Sequence, residues 1–307
     1  MSSTKFKKVA LLLGGKSKER EISIRTGKAV YEALCRLGYD TTMIDPERNL
    51  AQDLIDGSFD VVYNALHGTY GEDGAIQGLL EWLKIPYTGS GIKASAVAMD
   101  KAMAKQIFKQ AGIPIADGMT WEISQSNPTL ETLPKGPWVL KPCAEGSSVG
   151  VSKCADLSTL LQALEQARSE KISQTWLIES WIIGPEISVT VFNGEVWGGV
   201  EIEPSEGWYD YQAKYQKGDT TYHIPPRLDS EVLKLAYEYA RIGYLALGCR
   251  GVCRMDLMIK DSISPIALEM NTLPGMTQSS LVPKIAQKRG LSFDELVALI
   301  LNHAQND

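Results

Sequence analysis

Four polar side chains near the C-terminus, Arg254, Asp256, Glu269 and Asn271, have the types and spacing to do chemistry together. Arg254 and Asp256 interrupt an apolar run in which Cys253, Met255, Leu257 and Ile259 take the alternate places. Glu269 and Asn271 do the same against Ile266, Leu268 and Met270. Period-two alternation on either side of Asp261-Ser262 predicts a β-hairpin. With Lys260 opposite Pro265, Asp256 faces Glu269, Arg254 faces Asn271, Met255 meets Met270 and Leu257 meets Leu268. Hard oxygen donors on neighbouring strands suit Mg²⁺, which keeps several waters and shares its site with phosphates. The same residues could instead form a solvated face whose charges pair with one another. The continuation favours a site: Asn271 to Gly275 empties the strand into a turn of backbone N–H groups, with Ser279-Ser280 just beyond.

Three further stretches carry matching chemistry. From Trp138 to Ser152 the chain reads as strand, Gly/Ser-rich loop, strand, with Lys141 on the incoming strand. Glycine lets N–H groups close over phosphate oxygens, serine adds donors and lysine adds a point charge. The loop lacks the ending of a Walker A motif, and Gly14-Gly15 after the first strand lacks the full dinucleotide fingerprint. Glu179 and Glu186 bracket a run with Trp181 and Ile182 that could wall a base and present carboxylates to its polar edge. His67, in the loop from Ala65 to Gly74 with Glu72 and Asp73, comes off a strand end, where open α/β sheets bind ligands.

The elements that must hold these groups alternate between strand and helix in the first third. Strands are expected at Val9–Leu13, Thr41–Ile44 and Asp60–Asn64, a helix from about Ile22 to Leu37 closed by Gly38, and a helical segment between the later strands. The stretch from Ile85 to Gly91 reads as a closing loop. Helices follow at Lys101 to Gln110, Leu157 to Arg168 and Ser230 to Leu247. Glu186 opens a strand that turns at Asn193-Gly194. The aromatic, Gly-punctuated segment from Tyr209 to Pro226 is a candidate lid.

Size and charge bound the rest. A chain of 307 residues calls for two or three domains. A net charge of −6 argues against coating nucleic acid while leaving local phosphate binding open. The five apolar residues after Lys7-Lys8 are too short for a signal peptide core. No stretch approaches the ~18–20 apolar residues of a membrane span. Cysteines at 35, 143, 154, 249 and 253 form no C-x-x-C pair, which fits free thiols in a reducing cytoplasm. The expectation is a cytoplasmic, multidomain α/β protein.

In order along the chain stand Leu12-Leu13-Gly14-Gly15 with Glu19-Arg20-Glu21-Ile22-Ser23, Ala65-Leu66-His67-Gly68 with Gly71-Glu72-Asp73-Gly74, and Pro86-Tyr87-Thr88-Gly89-Ser90-Gly91. Met99-Asp100-Lys101, Lys141-Pro142 with Glu145-Gly146-Ser147-Ser148-Val149-Gly150, and Gly184-Pro185-Glu186 follow. Tyr211-Gln212-Ala213-Lys214-Tyr215, Arg254-Met255-Asp256 and Met270-Asn271-Thr272-Leu273-Pro274-Gly275-Met276-Thr277 complete the set. The ordered series covers almost the whole chain and resembles the D-alanine–D-alanine ligase family of the ATP-grasp superfamily.

That resemblance implies an open α/β substrate domain over 1–97, a central ATP-grasp subdomain over 98–183 and a C-terminal catalytic domain over 184–307, with ATP between the last two. It implies that Lys101 and Lys141 contact ATP phosphates, Glu179 the adenine edge and Glu186 the ribose, with Trp181 and Ile182 beside them. Asp256, Glu269 and Asn271 would hold two Mg²⁺, or Mn²⁺ in their place. Glu19 would hold the ammonium of the first D-alanine, and Ser147 and Tyr215 would tie that region to the lid. Lys214 would reach the γ-phosphate. Arg254 and the N–H of Gly275 would steady an oxyanion, Ser280 and Leu281 would bind the second carboxylate, and His67 would lie nearby. A homodimer is implied as well. One departure is Cys143-Ala144, where some members carry Ser-Arg; it bears on local loop contacts. Another ATP-grasp ligase would lack the Glu19–Ser23 and Tyr211–Tyr215 segments, and a non-catalytic nucleotide-binding regulator should have lost metal ligands or lysines that are all present.

Overall fold

Val9, Ala10, Leu11 and Leu12 are wholly buried in strand β1 (Lys8–Leu12), because both faces of its sheet are covered. In this computed structural model, which describes residues 5–46, 48–146, 149–204 and 220–307, β1 lies parallel to β2 (Asp40–Ile44) and β3 (Val61–Asn64) in the order β2-β1-β3. Val9 and Leu11 pack with Val30 and Leu34 of α1 (Arg20–Arg36). Ala10 and Leu12 pack with Leu54 of α2 (Leu50–Gly57) and Leu80 of α3 (Ala75–Leu83). Gly38 closes α1 at φ 82°, a left-handed position that costs glycine little. The stretch read as a closing loop is tied in on two sides, since Tyr87 bridges to Val62 and to Gln305.

Helices α4 (Ile92–Met99) and α5 (Lys101–Gln110) lead out of this sheet. The Asp100 carboxylate accepts from the N–H groups of Ala102 and Met103 and so caps α5, whose bounds are those expected. A second sheet, ordered β4-β7-β5-β6, comprises β4 (Gly118–Glu122), β5 (Trp138–Pro142), β6 (Ser152–Cys154) and β7 (Thr175–Ser180). Helix α6 (Leu157–Glu170) covers it through Leu160 and Leu164.

The third sheet, ordered β10-β9-β8-β11-β12, is built from β8 (Glu186–Phe192), β9 (Glu195–Glu203), β10 (Thr221–His223), β11 (Val252–Lys260) and β12 (Ser264–Asn271). Cys253, Met255, Leu257 and Ile259 are buried together against Phe108 of α5 and Ala236 and Ala240 of α7 (Ser230–Leu247), so the expected alternation holds along β11. Helices α8 (Leu281–Lys288) and α9 (Phe293–Asn302) return the chain to the first sheet, where Val297 and Leu301 share a core with Val9 and Leu11. Sequence reading singled out neither of these two, nor α3, α4 or β4.

The hairpin register needs one correction. Asn271 faces Arg254, Met270 faces Met255 and Glu269 faces Asp256, as the alternation predicts. A bulge between Asp256 and Leu257 then shifts the pairing, so Leu257 faces Ala267 and Lys260 faces Ser264. One extra residue reverses the alternation on the bulged strand. Ala267 enters the core in place of Leu268, and Leu268 turns to the functional face beside Met258. Asp261 and Ser262 form the turn with φ of 51° and 62°.

Candidate active site

On the hairpin face each carboxylate meets a cation. Arg254 donates from Nε and Nη2 to the two oxygens of Asp256 at 2.9 and 2.8 Å, a bidentate pair. From the adjoining strand β8, the buried Ser188 hydroxyl donates to Asp256 Oδ1 at 2.7 Å. Lys101 Nζ lies 3.1 Å from Glu269 Oε2 and donates to the Glu145 carbonyl at 2.6 Å. Burial works against the Lys101 charge, but the Glu269 carboxylate outweighs it and raises the lysine's pKa. Asn271 Oδ1 accepts from the Leu273 N–H at 2.9 Å, which starts the turn toward Gly275 and fixes the amide. Two cross-strand carboxylates and an oriented amide carbonyl form an all-oxygen donor set, which fits a hard divalent cation that keeps water and phosphate oxygens for its other positions. Among the described residues no cluster of three or more His, Cys, Asp or Glu offers a rival metal site.

Two cavities meet at this face. The larger, about 550 Å³, lies between the second and third sheets. Its apolar walls include Val139, Trp181, Ile182, Met258 and Leu268, and its polar lining includes Lys141, Glu179, Glu186 and Asp256. Lys153 stacks over the Trp181 ring at 4.4 Å. Glu179, 2% exposed, receives Lys105 on one carboxylate oxygen at 2.7 Å and Lys141 on the other at 2.6 Å. Burial opposes the charge of Glu179, yet Lys141 and then Lys105 outweigh it and hold the carboxyl below its usual range. Lys105 is pushed down to about 8 by burial, with Lys141 adding to the shift and Glu179 opposing it.

The smaller cavity, about 320 Å³, is lined by Glu19, His67, Arg254, Gly275, Ser280 and Leu281 among others. Glu19 stands just before α1, and its carboxylate is wedged between two loops. A Cβ placed on Gly68 or on Gly146 would lie 2.6 Å from Glu19 Oε2, so both glycines permit the close approach. His67 is fixed by Glu72 at Nδ1 (3.0 Å) and Thr26 at Nε2 (3.2 Å). Opposite Glu19, Ser280 stands at the N-cap of α8, and its hydroxyl accepts from the Thr277 N–H at 3.1 Å. A helix N-terminus facing a polar cavity favours a carboxylate there. The cavity lining thus combines a fixed negative group with Arg254 and a helix N-terminus, which favour an anion.

Lys101 and Glu269 line both cavities, so their ion pair stands at the junction. The structure brings to the two cavities every described residue that the sequence reading singled out for the site: Glu19, His67, Lys101, Lys141, Glu179, Trp181, Ile182, Glu186, Arg254, Asp256, Glu269, Asn271, Gly275, Ser280 and Leu281. Ser147, Lys214 and Tyr215 lie outside the described residues, as do residues 209–219 of the expected lid, Tyr209 to Pro226; within its remainder, Thr221–His223 forms strand β10, paired with β9. Sequence reasoning missed Lys105, Ser188, Arg25 and Met258. Lys105 follows Lys101 by one helical turn, a spacing that places both on one face. Ser188 carried no local signal.

Family models described as D-ala D-ala ligase N-terminus and C-terminus match residues 46–90 and 107–302. A D-alanine--D-alanine ligase of Anaeromyxobacter sp. (strain Fw109-5) is 44% identical over 300 residues, covering 97% of each chain. The crystal structure of D-alanine--D-alanine ligase from Bacillus anthracis superposes with a TM-score of 0.85 at 34% identity, covering 97% of each chain. The structure of that enzyme complexed with ATP gives 0.84 at 33% identity over the same shares.

Proposed function

Since the chain belongs to the D-alanine–D-alanine ligase family, we propose that it joins two D-alanines into D-alanyl-D-alanine at the expense of ATP, releasing ADP and phosphate. The carrying observation is the junction: a cavity with apolar walls and Lys141 in its lining meets, at the Lys101–Glu269 ion pair, a cavity lined by Glu19 and Arg254, charges of both signs that suit a small zwitterion. Such an arrangement sets a nucleotide's terminal phosphate against a substrate carboxylate.

A carboxylate repels nucleophiles, so it must first be activated. In this reading the γ-phosphoryl group passes to the carboxylate of the first D-alanine, giving an acyl phosphate. Lys101 and Lys141 offset the charge that spreads over the transferring oxygens. Asp256, Glu269 and Asn271 would hold Mg²⁺, which would supply positive charge to neutralise the phosphates. Glu19 positions the first ammonium through one ion pair, and the N-terminus of α8 with Ser280 and Leu281 holds the second carboxylate. Attack by the second amine gives a tetrahedral centre whose oxyanion is met by Arg254 and the N–H of Gly275, donors fixed in place before the reaction. Arg254 is itself held flat by its two bonds to Asp256. Phosphate then leaves, forming the peptide bond. Acyl phosphates hydrolyse, so water must be kept out.

The division at 97 and 183, a homodimeric assembly and a cytoplasmic location serving peptidoglycan precursor synthesis belong to the same proposal. Among the described residues no helix is long and apolar enough to cross a membrane. The test is direct. Purified protein with ATP, Mg²⁺ and D-alanine should release ADP and produce D-alanyl-D-alanine by mass spectrometry; ADP release with no dipeptide, or no dependence on D-alanine, would reject the reading.

A further inference from the structure

Helix α5 sends two buried lysines, one turn apart, across the gap between the second and third sheets. Each makes a contact on both sides of that gap. Lys101 reaches the Glu145 carbonyl, in the loop after β5, and Glu269 on β12. Lys105 reaches Glu179 on β7 at 2.7 Å and the carbonyl of Ala267 on β12 at 3.2 Å. The phosphate reading accounts for Lys101 and leaves Lys105 without a role. At 3% exposure, Lys105 has its ammonium buried behind Glu179, where no ligand in the cavity touches it directly.

We propose that Lys105 is a positioning residue that sets the nucleotide site by joining its two walls and holding Glu179 and, through it, Lys141. The proposal rests on the reading of the larger cavity as the ATP site.

The geometry supports it at each link. β12 is the edge strand of its sheet, so one side of its backbone is left without a ladder partner. At the bulge, Ala267 is tied instead to the chain that follows α5: its N–H donates to the Pro114 carbonyl at 2.8 Å, and its carbonyl accepts from Lys105. Two residues farther along the same strand is Glu269. At its other end, Lys105 occupies one oxygen of Glu179 while Lys141 occupies the other, which fixes the carboxylate plane and leaves Lys141 with one bearing. Lys105, Glu179 and Lys141 together carry one positive charge in excess, which suits a cleft that receives phosphate. The ammonium is expensive to bury: burial pushes Lys105 down to about 8, and a greasy side chain would fill the space at less cost. A group retained against that cost, with both its contacts on walls of one cleft, is placed for position.

Lys105→Met keeps the length of the chain and removes the ammonium. Glu179 then loses one partner, Lys141 loses its fixed counter-charge, and the bulge carbonyl loses its donor. The expected result is a 10- to 100-fold rise, as an order of magnitude, in the KM for ATP and in the ADP dissociation constant, with the KM for D-alanine changed less than about twofold. Because Lys105 acts through Glu179, the double variant Lys105→Met/Glu179→Gln should bind ADP within about twofold of Glu179→Gln alone. Lys105→Arg, which keeps charge and several donors, should recover most of the nucleotide affinity. Calorimetry with Mg²⁺–ADP, steady-state kinetics for both substrates and thermal melting are run on all four variants and the wild type.

A folded Lys105→Met protein with the wild-type ATP KM overturns the proposal, as do equal losses for ATP and D-alanine, which would mark a merely structural role. Full additivity in the double variant also overturns it. If Lys105→Met does not fold, Lys105→Gln carries the same test, with the same ATP-selective rise expected. A wild type that neither binds ADP nor consumes ATP with D-alanine rejects the ligase reading and this proposal together, whereas binding in the wild type with no change in the variants rejects the proposal alone.

Discussion

The two cavities solve different recognition problems with different materials. The smaller mixes apolar side chains such as Ile22, Met99 and Met270 with a larger share of polar ones, among them Glu19 against Gly68 and Gly146, and takes in the turn from Asn271 to Ser280. The larger lies between two sheets, with Val139, Trp181, Ile182, Met258 and Leu268 among its apolar walls and Lys101 and Lys141 among its charged groups. A small zwitterion has too little surface for burial to hold it, so fixed charges of both signs must do so. A nucleotide brings a flat base and a remote anion, so apolar walls with lysines placed for the phosphates suit it. The contrast teaches that, among the described residues, it is Lys101 with Glu269, lining both cavities, that has to satisfy both ligands at once.

Breaking the junction should therefore have the largest effect. Glu269→Gln keeps the shape but removes the charge that faces Lys101 and a metal ligand; turnover should fall on the order of 10³-fold or more. The melting temperature should stay within a few degrees, because Glu269 is only partly buried. Coupled ADP-release assays with circular dichroism check both, and near-normal turnover by a folded variant would remove the junction from the mechanism.

Next come substitutions that address one cavity alone. Gly68→Ala places a methyl where Glu19 now sits and imposes a side chain at φ 70°. The displaced carboxylate should raise the D-alanine KM about 10- to 100-fold and leave the ATP KM near wild type. Leu268→Ala trims an apolar wall of the larger cavity. Taking away apolar wall worth about 1–2 kcal/mol should raise the ATP KM roughly 5- to 30-fold with little change for D-alanine. Initial rates against each substrate separate the two; a shared pattern in either variant would mean that the cavities are not independent.

The smallest effect is one of stability with pH. The folded-state pKa of Lys105 lies at about 8, below the 10.5 of an ordinary lysine, so between those values the unfolded chain binds more protons. Unfolding then becomes less favourable as pH rises. The penalty of the buried charge is present in full below about pH 8 and is relieved as pH climbs through 8 toward 10.5. The wild type should gain a few degrees of melting temperature over that window relative to Lys105→Met, measured by scanning calorimetry at several pH values. Parallel curves for the two proteins would place the Lys105 pKa near its usual value.

What the sequence by itself determined was local. Alternation with period two put Arg254 and Asp256 on one face, and the short turn at Asp261-Ser262 brought Glu269 and Asn271 opposite them, because a strand's side-chain direction is set by its own backbone. Helices 101–110 and 230–247 were legible to the residue, since their caps, Asp100 and Asp229 at one end and Gly112 and Gly248 at the other, lie beside them in the chain. The ordered motifs pointed to the family and to most of the lining of both cavities. Tertiary structure alone decided the bulge that trades Leu268 for Ala267, because it depends on what packs against an edge strand and not on the strand's own pattern. It alone brought Lys105 to a carboxylate 74 positions away (179 minus 105), Ser188 to Asp256, and Glu19 between two glycines from separate loops. Those contacts join groups whose approach is set by how sheets and helices pack, and no local period in the chain records that distance.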